Sequence, residues 1–107
     1  MKKYKITVFG ADRGVIEVRE VIGTPVNVPY GFAAFVHRRV DGDKKGWCVS
    51  ERTTGNIITT GRTKVDAIVN AREKILELGE QNMRFAITRV LKVLEDHKIN
   101  LYEETIK

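Results

Sequence analysis

The hydrophobic pattern changes period once along the chain. Up to about residue 60, apolar and polar positions alternate; from residue 63 onward, apolar positions recur at three- and four-residue spacing. Alternation turns one face of a strand inward, whereas the longer spacing marks one stripe of a helix. Across residues 3–9, Tyr4, Ile6 and Val8 oppose Lys3, Lys5 and Thr7, which predicts a half-buried first strand. A glycine-bounded loop over 10–14 follows. Residues 15–22 then resume alternation, with Ile16, Val18 and Ile22 opposite Glu17 and Arg19, so the two runs form a hairpin. Residues 23–31, GTPVNVPYG, hold both prolines and are expected to be an extended connection. The third strand spans 32–40 and carries apolar residues on both faces, Phe32, Ala34 and Val36 against Ala33 and Phe35. That pattern suits a central strand covered on both sides. An Asp-Gly turn over 41–46 closes it.

The rest of the chain is organised around residues 47–78, which read as strand, tight turn, strand and capped helix. Gly55 and Asn56 accept the positive φ of a tight turn, and β-branched Ile57, Ile58, Thr59 and Thr60 suit a pleated surface. Thr63 is placed to cap the helix, Asp66 complements the dipole in its first turn, and Gly79 lies where the helix should stop. Val65, Ile68, Ile75 and Leu76 define its apolar arc, with Ile68, Ile75 and Leu78 leading the contact with the sheet. A second helix is expected over 80–98, with Met83, Ala86, Ile87, Val90, Leu91, Leu94 and His97 on one stripe. Gly79 leaves open a short turn between two helices or one bent helix. The predicted class is α+β: a hairpin and a three-stranded antiparallel meander, about five strands, followed by two helices packed on the sheet.

At 107 residues the chain is one domain by size, with 42% hydrophobic and 31% charged residues. A lone cysteine, Cys48, excludes an internal disulfide and suits a reducing compartment. No apolar run approaches the ~20 residues of a membrane span, and the first residues lack a signal-peptide core. A cytoplasmic protein with no membrane partner is therefore expected. The formal charge of +5 is unevenly spread: residues 1–62 carry 11 Lys/Arg against 6 Asp/Glu, and residues 63–107 carry 8 against 8. An anionic partner for the strand half follows naturally, although basic strands also discourage edge-to-edge pairing.

Motifs for catalysis are absent. His37 and His97 have no metal-ligand neighbours at suitable spacing, Cys48 reads as a small apolar strand residue, and no nucleotide, zinc-protease or nucleophile-elbow pattern occurs. We therefore expect neither enzymatic activity nor a cofactor. Three groups remain as candidate binding residues. His37, Arg38, Arg39, Lys44, Lys45 and Arg52 surround Phe35 and Trp47, a composition that can meet nucleic-acid phosphates and bases. Alternation sends Arg38 and Arg39 to opposite faces, so part of this group is expected to be solvated. Gly61, Arg62, Thr63 and Lys64 lead a strand into a helix N-terminus, a geometry that favours anions.

The third group breaks the helical pattern. Arg72 falls inside the apolar arc of the first helix, where a guanidinium either finds buried acceptors or reaches out from the edge. Phe85 lies opposite the stripe of the second helix, with Arg89 and Lys92 nearby, and aromatics are enriched in recognition surfaces. A protein partner or self-association, including a homodimer, is the expectation for this group.

Residues 32–78, through Gly46-Trp47, Val49-Ser50-Glu51, Thr54-Gly55, Gly61-Arg62-Thr63 and Asp66-Ala67-Ile68, resemble small β-β-β-α proteins of bacteriophages and mobile elements. The segment is similar to HicB-type antitoxins, in which a three-stranded meander passes through a Gly-x-Thr turn into a helix. The absent catalytic motifs, the small size and Phe85 point to a non-catalytic protein-binding module or inhibitor, and the resemblance implies a phage or mobile-element accessory protein, such as an anti-defence factor; the basic strand half supports nucleic-acid binding as the alternative.

Overall fold

In the computed structural model, which describes residues 1–9, 16–40 and 45–101, the chain forms five strands and then two helices. The strands are β1 (Lys2–Phe9), β2 (Ile16–Val26), β3 (Ala34–Arg38), β4 (Trp47–Glu51) and β5 (Ile57–Gly61). Helices α1 (Lys64–Leu78) and α2 (Glu80–Asp96) follow. The sheet is an open antiparallel meander in chain order, β1-β2-β3-β4-β5.

Strand β2 runs further than its sequence suggests, because Gly23, Thr24, Pro25 and Val26 pair with β3. Its first part pairs with β1 only as far as Gly23. Beyond that point β2 has one neighbour, and proline is tolerated on such an edge. A short 3-10 turn, Pro29–Gly31, completes the connection. Gly23 is also where the sheet curls. A Cβ there would meet Phe35 Cδ2 at 3.0 Å and Tyr4 Cδ2 at 3.2 Å. Those two rings, two strands apart, stack at 4.0 Å and 3°. The curl carries β1 to the β4–β5 turn, where Thr7 N–H donates to Gly55 O at 2.9 Å and Thr7 Oγ1 to Thr54 O at 3.2 Å.

That turn is built on Glu51, a buried carboxylate. Its Oε2 accepts from Thr53 N–H at 2.7 Å, and its Oε1 accepts from Thr54 N–H at 2.8 Å and Thr54 Oγ1 at 2.7 Å. Three donors offset the cost of burying the charge. Gly55 completes the turn at φ 69°. A register shift between Val49 and Ser50 follows, which inserts Ile58 into the core while Ile57 faces solvent.

Helix α1 begins as expected, with Thr63 Oγ1 accepting from Asp66 N–H at 3.1 Å. It lies over β5, β4 and β3, but its inner face is Ala67, Ala71 and Ile75. Val65 and Leu76 point to solvent, Ile68 is half-buried, and Leu78 is largely open. The expected arc is therefore rotated toward the alanines. The reason is close approach: the first turn of α1 sits directly on Gly61, and only small side chains fit the remaining gap. One flank of α1 also covers the free edge of β5. Asn70 Nδ2 donates to Thr60 O at 3.0 Å and Lys74 Nζ to Ile58 O at 2.9 Å. These bonds blunt an edge that would otherwise invite strand pairing.

Gly79, at φ 87° and ψ 159°, ends α1 and starts α2, so the helices are two and joined by a sharp turn. The core has two parts. Ala34, Val36, Val49 and Ile58 meet the inner face of α1 and Met83 of α2, while Tyr4, Ile6 and Phe35 pack inside the curl. Strand β3 is covered on both sides, as its sequence predicts.

Candidate functional site

Helix α2 is bound to the fold by little of its apolar surface. Of the seven residues on its predicted stripe, only Met83 and Leu94 are buried, with Ile87 and Val90 half-buried. Ala86, Leu91 and His97 are exposed, so the sequence overstates how much of this stripe the sheet covers. His97 instead closes the helix, its Nδ1 donating to Val93 O at 2.9 Å.

The uncovered part of the stripe is continuous with a cleft against the strands. Ile57 and Ile58 of β5, Leu78 of α1, and Met83, Ala86, Ile87 and Val90 of α2 line a cavity of about 190 Å³. Ala86 and Val90 also line a second, shallow depression with Arg89 and Val93. Together they form one groove along the flank of α2, apolar on the helix side and edged by Glu51, Thr54, Asn56, Lys74 and Arg89. Ile57 is 48% exposed, Leu78 39% and Val93 37%.

Phe85 extends this surface. It is 64% exposed, and Arg89 lies with its guanidinium carbon 5.9 Å from the ring centroid. Phe85, Arg89 and Val93 fall at i, i+4 and i+8, a single row beside the groove. Lys92, exposed, lies two turns further along the same face of the helix. Leu101 is buried against Gly55 rather than against Phe85, and Tyr102 lies outside the described residues. Arg72 belongs elsewhere. Its Nε donates to Asn27 O at 2.8 Å, which ties α1 to the β2–β3 connection.

The basic candidates divide between the two ends of the sheet. Arg39, Lys45, Gly46, Thr60, Gly61 and Arg62 surround an indentation of about 280 Å³. Beside it, Arg38 lies 4.6 Å and Lys64 5.7 Å from the Trp47 ring. Arg38 and Arg39 leave opposite faces of the strand, Arg38 toward the Trp47 ring and Arg39 toward the indentation. Thr63 spends its hydroxyl on the helix cap. Lys44 lies outside the described residues. Arg52 sits at the far end, lining a depression with Leu94, Glu95 and Leu101, so it does not join the group.

His37 leaves the basic group altogether. It is 2% exposed inside the curl, where its Nδ1 donates to Arg38 O at 2.7 Å and its Nε2 accepts from Ser50 Oγ at 2.9 Å. Desolvation by burial holds its pKa below 6.5, and the bond to Arg38 O offsets part of that shift. Both ring nitrogens are engaged, and the bond to Ser50 ties β3 to β4. Cys48, its cross-strand partner, is likewise buried. Among the described residues, no cluster of His, Cys, Asp or Glu could hold a metal, and no helix is long and apolar enough to cross a membrane.

Sequence reasoning missed Glu51 and the groove-lining set of Ile57, Ala86, Val90 and Val93. No protein-family model, curated protein or solved structure matches the chain.

Proposed function

We propose that the protein is a non-catalytic protein-binding module whose contact surface is the apolar flank of α2. One observation carries this reading: the groove from Ile57 and Leu78 to Ala86, Val90 and Val93, continued by Phe85, exposes aliphatic and aromatic side chains that the fold leaves uncovered. Contiguous apolar surface rimmed by polar groups marks interaction sites, and aromatic and arginine anchors are enriched in them. The occupant is a second copy of the chain or a different protein. An inhibitory or accessory role, which the phage-protein resemblance implies, is one use of such a module.

The double substitution Ile57→Ser/Val93→Ser tests it. Both side chains are exposed, so monomer stability should stay within about 0.5 kcal/mol of wild type, while self-association in sedimentation equilibrium or capture of the native partner is lost. Destabilisation well above 1 kcal/mol would place these residues in the monomer's own core. Association unchanged by the substitutions would place the interface elsewhere.

A further inference from the structure

The basic end of the sheet is spatially separate from the α2 groove, at the other end of α1, and the protein-binding reading makes no use of it. It is assembled by two glycines. Trp47 pairs with Gly61 across β4 and β5, and a Cβ on Gly46 would sit 2.9 Å from Gly61 O. The start of β4 therefore presses against the β5–α1 junction. That contact brings Arg39 and Lys45 to Arg62, three cations from two segments distant in sequence, around one indentation. Trp47 holds a second pair, Arg38 and Lys64, beside it. Cation–π contacts of this kind fix the direction of long side chains and leave their N–H donors open.

Among the described residues, five basic side chains, Arg38, Arg39, Lys45, Arg62 and Lys64, stand here against one acidic one, Asp66. Asp41 and Asp43, like Lys44, lie outside the described residues. Two adjoining groups of cations match a partner with repeated anions better than a single phosphate. Trp47 acts as a post for two of them and packs against the core, so it is not a free platform for stacking bases.

We propose that this end binds the phosphate backbone of nucleic acid without reading sequence. The donors are Arg38, Arg39, Lys45, Arg62 and Lys64. Each phosphate they neutralise releases counterions, so affinity falls with salt in proportion to the number of contacts.

The test is fluorescence anisotropy with labelled duplex DNA of two unrelated sequences, from 50 to 200 mM salt. Five engaged cations give a log–log slope of about −4.5, which is a roughly 500-fold loss of affinity over that range. The substitutions Lys45→Ala, Arg62→Ala and Lys64→Ala, all at exposed side chains, should together reduce the slope to about −1.8, a roughly 12-fold loss. Arg52→Ala, at the far end of the sheet, should leave the slope unchanged, and both sequences should bind alike. Failure to bind at 50 mM salt overturns the proposal, as does a slope that the triple variant keeps. Equal affinity for polyglutamate or for phosphatidylserine vesicles would show a general anion surface and overturn the assignment to nucleic acid. The α2 groove is untouched by these variants, so either outcome leaves the protein-binding reading to its own experiment.

Discussion

Gly61→Ala probes the contact on which both the helical layer and the basic end depend. The backbone of Gly61 is not in the left-handed region, so alanine meets no φ penalty there; its cost is wholly steric. A Cβ would strike the backbone nitrogen of Ala67 and lie 2.7 Å from Ala67 Cα and from Asp66 C. Ordinary contact begins at 3.4 Å, so the first turn of α1 must recede by more than about 0.7 Å. The atoms in the way are backbone, which cannot rotate aside. Ala67 and Ala71, both at 0% exposure, would then lose contact with the sheet along with Ile75. Overpacking of this kind costs about 1–3 kcal/mol, and the reduced entropy of the unfolded chain offsets about 0.4–1 kcal/mol. A net loss of about 1 kcal/mol, or roughly 4–8 °C in Tm, should appear in urea and thermal unfolding followed by circular dichroism. Trp47 emission should shift as well, since Trp47 is the cross-strand partner of Gly61. Stability within about 0.5 kcal/mol of wild type would refute the close seating of α1 on β5.

Ile75→Ala removes the largest fully buried side chain of α1 and should cost about 2–5 kcal/mol by denaturant unfolding; a loss below about 0.5 kcal/mol would contradict its place in the core. His37 should make stability depend on pH. The unfolded chain takes up a proton near 6.5 while the folded chain resists, so the contribution is complete above that pH and is lost as pH falls below it. His37→Gln should flatten that part of the stability–pH curve, and an unchanged slope would refute the burial argument. Phe85→Ala should leave monomer stability within about 0.5 kcal/mol, because the side chain is 64% exposed; a larger loss would show that it packs within the fold.

Local chemistry is what the sequence expresses well. Thr63 and Gly79 bound α1 because a capping hydroxyl and a positive-φ glycine act within a few residues of their own position. Strand alternation likewise placed β1, β3, β4 and β5 with only terminal adjustments. The inner face of α1 was less legible, since Ala67 and Ala71 carry a weak hydrophobic signal beside Val65 and Leu76. Their selection follows from the distance between helix and sheet, which a periodicity cannot express. Pro25 concealed the end of β2, because its tolerance depends on where β1 stops pairing. Glu51 looked like an ordinary polar strand residue, and only the folded turn brings three donors to its carboxylate. Among the candidate site residues, Phe85 announced itself by breaking the helical pattern. The meeting of Arg62 with Arg39 did not, because it arises from the contact of Gly46 with Gly61.

The protein-binding account is tested most directly by site-specific photocrosslinking in cells of the native host. A benzophenone side chain is placed at Val93, inside the exposed groove, and in a parallel sample at Glu77, an exposed polar position on α1. Irradiation should join Val93 to a second copy of the chain or to one protein partner, giving a discrete adduct that Glu77 does not give. Absence of any adduct at Val93, or the same adducts from both positions, would contradict the account.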